Sequence, residues 1–432
     1  TTGTFNTAVG RNAGFAVTTG LQNTLIGGLA GDALTDADDN VAIGYLALTS
    51  DTLGSRTVAI GRRALGAQNF TSATESNNTA VGYNAGLNVT TGTNNTLIGA
   101  NSGDALTTGN NNVSVGNGAL SGDTLGSSAV AIGHGALGTQ NFTSATNSYN
   151  VGVGRNAGGS ITTGTGHTII GGLAGDALTT GLSNTVVGQN ALTSDTTGRY
   201  NVAIGQNALK DQNFTGSNNV YNVAVGMSAG ENITTGVQNT IIGGLAGDAL
   251  TDADNNVAVG RSALTSDTLG SRSIAIGFQA LENQNFTSAT DTFNVAMGHN
   301  AGRNITTGIR NTFIGGLCGD GTDDGLENVA IGYGALSANC GDHNVAIGEE
   351  SLSVCTGSGN TAVGRTAGLN VTSGTNNLLL GEDAGRSGSP GGEISTGANQ
   401  IVLGDENITN AHIQVALTVA SDERDKTDFT DL

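Results

Sequence analysis

Basic residues are scarce in this chain. Fifteen Lys and Arg stand against 35 Asp and Glu, only Lys210 and Lys426 are lysines, and the formal net charge is −20. Such a balance excludes nucleic acid and anionic membrane surfaces as partners, because both are held by clustered positive charge. No run of 18 apolar residues occurs and no basic, apolar signal segment opens the sequence, so membrane insertion through a helix is not expected. Trp is absent and Pro390 is the one proline. Disordered chains are rich in Pro, Glu, Ser and Lys and poor in β-branched residues. This chain is rich in Val, Ile and Thr, so its low complexity does not signal disorder. The five His show no metal-ligand spacing, and neither a metal nor another cofactor is expected.

What is present is glycine, 71 residues in 432, about twice the usual share. Many of these glycines close a phrase of the form N-T/V-A-I/V-G. Taking that glycine as a ruler gives Gly10, Gly27, Gly44, Gly61, Gly82 and so on to Gly404. The spacings run 17, 17, 17, 21 four times over, a super-repeat of 72 residues, then relax to 17, 17, 16, 16, 17 and 23. Self-similarity at a short fixed period means a solenoid. A unit of 17 residues is too short for two helices and a turn, and its strand phrase alternates and is β-branched. The expected fold is all-β: a parallel β-solenoid, or β-roll, of 23 rungs, each with two short strands and two turns. Rungs about 4.8 Å apart make a rod on the order of 110 Å long.

Three columns fit this reading. Asn stands four residues before the ruler glycine in 18 of 23 rungs, where stacked amides can bond rung to rung. Val, Ile, Leu or Met precedes the glycine directly and is expected to line the inside of the coil. Ala, with Ser or Cys as small substitutes, stands three residues after it, except for Asn407 in the last rung. By the same alternation the Ala and Gly of the strand phrase face outward, a smooth surface suited to sister chains. A thin coil buries little per rung against its ordering entropy, so lateral self-association is expected.

Runs such as NTAVGYNAGLNVTTGTNNTLIG (Asn78 to Gly99) resemble the repeat regions of bacteriophage tail fibres and, more loosely, the head repeats of trimeric autotransporter adhesins. Both resemblances imply a homotrimer of parallel, left-handed β-rolls. The chain ends differently from its repeats: seven of the twelve residues from Ser421 to Leu432 are charged. SDERDKTDF, from Ser421, resembles the opening of the intramolecular chaperone at the end of endosialidase-type tail spikes and many tail fibres. Asn399 to Ala420 is similar to the segment leading into that domain in cyanophage fibres. The resemblance implies a self-cleaving Ser421/Lys426 dyad with the scissile bond at Ala420–Ser421. The chemistry is sound, since a desolvated lysine of lowered pKa can serve as base to a serine hydroxyl. Only twelve residues follow the bond, so the fold that would desolvate Lys426 is absent and the chain as it stands is not expected to cleave itself.

The implied organisation is a repeat shaft over 1–404, a connector over 405–420 and the start of a truncated chaperone over 421–432. The implied role is a structural fibre of a phage virion, assembled in the host cytoplasm. It would join tail or baseplate proteins and attach to a host-surface receptor, glycan or protein. The alternative is the head of a bacterial surface adhesin, which would end in a coiled-coil stalk and membrane anchor. Apart from self-cleavage in the precursor, no enzyme is expected. Asp32 and its equivalents, and Asp51, Asp123, Asp195 and Asp267, recur too evenly for the one tuned carboxylate pair a polysaccharide depolymerase needs; they read as turn caps and solubility.

Other candidate sites are local. Every fourth rung is four residues longer, and Phe70, Phe142, Phe214 and Phe286 recur in those loops, with Tyr149, Tyr221 and Phe293 near the end of three of them. The four Phe are candidate receptor contacts through ring stacking; the competing and favoured expectation is that each ring folds back to cover the wall. Thr35 to Asn40 and Thr251 to Asn256 resemble the start of a calcium loop but lack its glycine and distant Glu, and read as solvated turns. Cys318 takes a small-residue position, while Cys340 and Cys355 fall near one turn of neighbouring rungs, where a bridge is geometrically conceivable.

Overall fold

A computed structural model describes residues 3–216, 218–410 and 412. Among these the chain is a single parallel β-solenoid without helices. It has 23 three-residue strands, from Thr7–Val9 to Ile401–Leu403, and each pairs in parallel with the next. The register is locked: Thr24, Leu25 and Ile26 lie over Val41, Ala42 and Ile43, and the same positions match at every step. The ruler glycine ends each strand.

Each rung carries one strand rather than the two expected. The rest of the coil is turn, bonded to the next rung through single backbone links such as Gly14 N–H to Ala30 C=O (2.9 Å) and Leu48 N–H to Ala64 C=O (3.0 Å). A second strand appears only as two-residue pairs at three wide rungs, such as Gly54–Ser55 with Thr74–Glu75. The reason lies in backbone curvature. In the rungs from Gly10 to Gly381, four positions have positive φ: five before the ruler, the ruler itself, and two and four after it. So many left-handed residues per 17 leave no room for a second extended run.

The ruler must be glycine. Its φ lies near +135°, and a Cβ at Gly61 would stand 2.2 Å from the carbonyl oxygen of Gly82 in the next rung. The position four after the ruler is Gly or Leu in every rung from Gly14 to Gly385. With Leu25, Leu97 or Ile241 in the middle of the strand, that position is Gly31, Gly103 or Gly247. Where the middle residue is Ala42, Ala59 or Ala258, it is Leu48, Leu65 or Leu264. A Cβ on Gly103 would meet Leu97 at 2.8 Å and Leu106 at 3.0 Å. These large residues are all buried, so at such rungs one wall position is large where the other is small; Ala80 with Gly86, Ala224 with Gly230 and Ala296 with Gly302 are small at both, and there the buried Val89, Ile233 and Ile305 fill the core.

The inside and the outside of the strand are the reverse of the sequence reading. The middle residue, two before the ruler, points into the coil: Ala42, Ala59, Ile169 and Phe313 are fully buried. The residue directly before the ruler points out. Ile26, Ile98, Ile170, Ile242 and Ile314 are 37–40 % exposed. The physical reason is the width of the coil. A rung this narrow admits one strand residue, and beside the buried Ala30-type column that residue must often be small. The larger Ile and Val are left facing away.

The Asn column bonds rung to rung, as expected, but it is buried from Asn23 to Asn377 and its bonds run mainly to backbone. Asn23 Oδ1 accepts the Asn40 N–H (3.0 Å) while Asn23 Nδ2 donates to the Ala37 carbonyl (2.7 Å). Asn239 does the same with Asn256 N–H (3.0 Å) and Ala253 C=O (2.7 Å). Each buried amide thus satisfies two peptide groups at a corner where the chain enters the strand. The small column three after the ruler is fully buried from Ala30 to Ala384.

Candidate interaction surface

The outward strand wall is the most unusual surface of the rod. Along it run two β-branched columns, the Thr/Val three before the ruler and the Ile/Val directly before it. Three residues of strand are about 10 Å wide, so over some 110 Å this wall covers on the order of 1,000 Å². A soluble monomer rarely exposes a contiguous apolar patch beyond about 600 Å². Its two edges are columns of another character. One lies five before the ruler and includes Tyr149, Tyr200, Tyr221 and Phe293; the other lies directly after it and includes Tyr45, Arg62, Tyr83 and Tyr333, all of them exposed. Tyr200 stacks on Tyr221 at 5.2 Å and Phe278 on His299 at 5.3 Å. Arg62 lies over Tyr83, Arg261 over Phe278 and Arg272 over Phe293, at 5.5–5.6 Å. An apolar strip edged by Tyr and Arg has the composition of a protein–protein contact.

The wide loops hold a different kind of site. Phe70, Phe142, Phe214 and Phe286 are only 5–7 % exposed, so their rings are covered and not presented for stacking. Phe70 lies against Gly54, where a Cβ would come within 2.8 Å of its ring. Beneath each Phe sits a buried polar station. Asp195 Oδ1 accepts the Gly198 and Phe214 N–H groups (both 3.1 Å), and Oδ2 accepts Gln212 Nε2 (2.7 Å). Gln212 Oε1 in turn accepts from Asn222 Nδ2 (2.8 Å), which ties the station to the Asn ladder. Asp51 with Gln68, Asp123 with Gln140 and Asp267 with Gln284 repeat the pattern.

The turn-cap reading of these Asp is therefore met at Gly54, Gly126, Gly198 and Gly270, but the solubility reading is corrected: all four are fully buried. Burial pushes the Asp195 and Asp267 carboxyls up, opposed first by the Gln bond. The Gln partners escaped the sequence reading, although they recur every 72 residues in the same loops as the Phe.

His167 occupies an Asn position of the ladder and copies the amide. Nε2 lies 2.9 Å from the Gly181 carbonyl, and Nδ1 accepts the Asn184 N–H (3.2 Å), so the ring is neutral with its proton on Nε2. Burial lowers its pKa to about 4. Elsewhere, Asp38 Oδ1 and Asp254 Oδ1 in the calcium-like turns accept backbone N–H groups of the preceding rung at 2.7 Å. All three thiols are free and buried, and burial raises Cys318 to about 12 and Cys340 to about 11. An open groove of about 430 Å³, floored by Gly118, Gly135, Gly138 and Gly159 and walled by His134, Asn156 and Asp176, crosses the turns beyond one strand edge.

Ala420, Ser421 and Lys426 lie outside the described residues, as does most of the 405–420 connector. No protein-family model, curated protein or solved structure matches the chain.

Proposed function

We propose that the chain is the shaft of a phage tail fibre. In this reading parallel copies, three by the resemblance, associate through the outward Ile/Val wall into a rod that attaches a virion to its host. The observation that carries the association is the apolar wall itself. It covers on the order of 1,000 Å² per copy, against about 800 Å² per partner in a standard stable interface. Left in water, that surface would cost the rod its solubility; covered, it supplies the stabilisation that a one-strand rung lacks. The fibre role is supported by the run SDERDKTDF from Ser421, which resembles the opening of a fibre chaperone. A precursor carrying that chaperone would be cut at Ala420–Ser421 by Ser421 and Lys426. The covered Phe rings move the search for receptor contacts to the exposed aromatics and to whatever lies beyond the shaft.

Immunogold labelling with antibody raised against the rod tests the role. Label on phage tails is expected. Label on bacterial envelopes free of phage would give the adhesin reading instead.

A further inference from the structure

The groove over Gly118, Gly135, Gly138 and Gly159 breaks the 72-residue repeat. The equivalent positions 72 residues earlier are Leu46, Arg63, Gly66 and Leu87. Those 72 later are Asn190, Asn207, Lys210 and Glu231, and the next set is Ser262, Gln279, Glu282 and Arg303. In those places side chains fill the space. Leu87 lies across Gly66, 3.3 Å from where a Cβ would stand. Lys210 Nζ lies 3.3 Å from the Glu231 carboxylate, and Arg303 Nε 2.6 Å from that of Glu282. Only at the second set are all four positions glycine.

The backbone does not ask for glycine there. Gly138 and Gly159 lack a left-handed φ, and Gly118 and Gly135 share the left-handed conformation in which Leu46, Asn190 and Asn207 carry side chains. Glycine also loses more conformational freedom on folding than any other residue. The four absent side chains leave an open space of about 430 Å³, within the range of small-molecule sites. Its surroundings are polar. Asn156 Oδ1 reaches over Gly135, 2.6 Å from where a Cβ would stand. His134, Ser121, Ser160 and Asp176 line the rest. The Thr193 hydroxyl holds the Asp176 carboxylate in place, and the Thr139 hydroxyl braces the floor by donating to the Gly159 carbonyl (2.8 Å). Neither Lys, Arg nor a large apolar side chain lines the groove.

We propose that this groove binds a neutral sugar of disaccharide size. Ring hydroxyls both donate and accept, and amide, imidazole, hydroxyl and carboxylate groups on one open floor match them. A single carboxylate with no ammonium or guanidinium disfavours an anionic sugar or a phosphate. The lack of apolar lining disfavours a lipid or an apolar peptide. From Asn117 to Asp176 the groove crosses four rungs, about 14 Å along the rod, which gives it the length of a short oligosaccharide. The site goes beyond the shaft reading and does not depend on it. Apart from its rim at Asn117 and His134 it lies in the turns, off the Ile/Val wall, so covering that wall leaves it accessible.

Saturation-transfer NMR on the purified rod tests the site, with lactose, maltose, cellobiose and diacetylchitobiose as neutral probes and sialyllactose as the anionic one. At least one neutral probe should give a saturable signal, and sialyllactose a weaker one. The Gly138→Lys/Gly159→Glu variant copies the Lys210–Glu231 pair into the groove and should lose the signal with its circular dichroism and melting unchanged. Should that variant fail to fold, Asn156→Gly suits the same left-handed backbone, removes the amide and should weaken binding about tenfold, the worth of one or two lost hydrogen bonds. A parent that binds no neutral probe, sialyllactose bound as tightly as the best neutral probe, or binding unchanged in the variants would overturn the proposal. None of these results touches the shaft reading, which the immunogold label decides.

Discussion

The two sides of one rung solve the same problem in opposite ways. On the strand side, the interior is Ala, Ile or Leu and the exterior is Ile and Val, so apolar groups stand on both faces. On the wide-loop side, the interior holds a carboxylate, a Gln and an Asn, and the Phe above them acts as a lid. The strand side needs no polar help inside, because its peptide groups are bonded straight up and down the rod. At the corners and loops the chain turns away, peptide groups lose those partners, and buried side chains must replace them. The contrast teaches that in this coil buried polar side chains stand where peptide groups lose their rung-to-rung partners, while apolar side chains fill the remaining interior and also cover the outer face of the strand.

The sharpest way to break that contrast is to remove a polar substitute at a corner. Asn239→Leu leaves the Asn256 N–H and the Ala253 carbonyl buried without partners. A loss of roughly 4 kcal/mol is expected, since each such group costs about 1–3 kcal/mol. Denaturant unfolding should show it as early melting of the central rungs, because a solenoid fails locally. A loss below 1 kcal/mol would mean that water reaches the corner.

The lid is tested next. Phe214→Ala should cost about 3 kcal/mol by cavity formation and open the Asp195 station to solvent. An unchanged melting temperature would mean that the Phe ring is not structural.

A smaller effect comes from His167, the ladder member that titrates. Its folded pKa is about 4, below the ordinary 6.5. The unfolded chain therefore binds a proton first as pH falls, and stability is lost between about pH 6.5 and 4, on the order of 3 kcal/mol in full. The raised Asp195 and Asp267 act with the opposite sign: the folded state takes up protons first, so they favour folding as pH falls through their folded pKa values. Comparison with His167→Asn, which keeps those Asp, isolates the histidine. The variant should match the parent at pH 7.5 and exceed it at pH 4.5. Equal stability at both values would remove the neutral-ring assignment.

Much of this architecture was legible in the sequence because the repeat carries it. Period, rung count, parallel stacking and the Asn and Ala columns all follow from residues spaced 17 apart. Which strand face is inside was not legible. Alternation gives two faces and no label, and the usual assumption that the larger apolar residue is buried failed at Ile43 and its equivalents. A partial sign was present in another form: Leu25, Leu97 and Ile241 go with Gly31, Gly103 and Gly247, and Ala42, Ala59 and Ala258 with Leu48, Leu65 and Leu264, although rungs such as Ala80 with Gly86 do not follow the exchange. The stations were half legible, since Asp51 and Phe70 recur visibly. Their burial depends on how a four-residue insertion folds over the coil, which no periodicity encodes.

The central claim is that the Ile/Val wall is covered by other copies of the chain, and the mass of the native particle tests it most directly. Native mass spectrometry of the purified rod should give about three times 42.7 kDa. Ile170→Lys/Ile204→Lys/Ile242→Lys, three charges on that wall, should give a folded monomer with unchanged β-sheet circular dichroism. A parent chain that is a soluble, monodisperse monomer, or a triple-Lys variant that still assembles, would contradict the account.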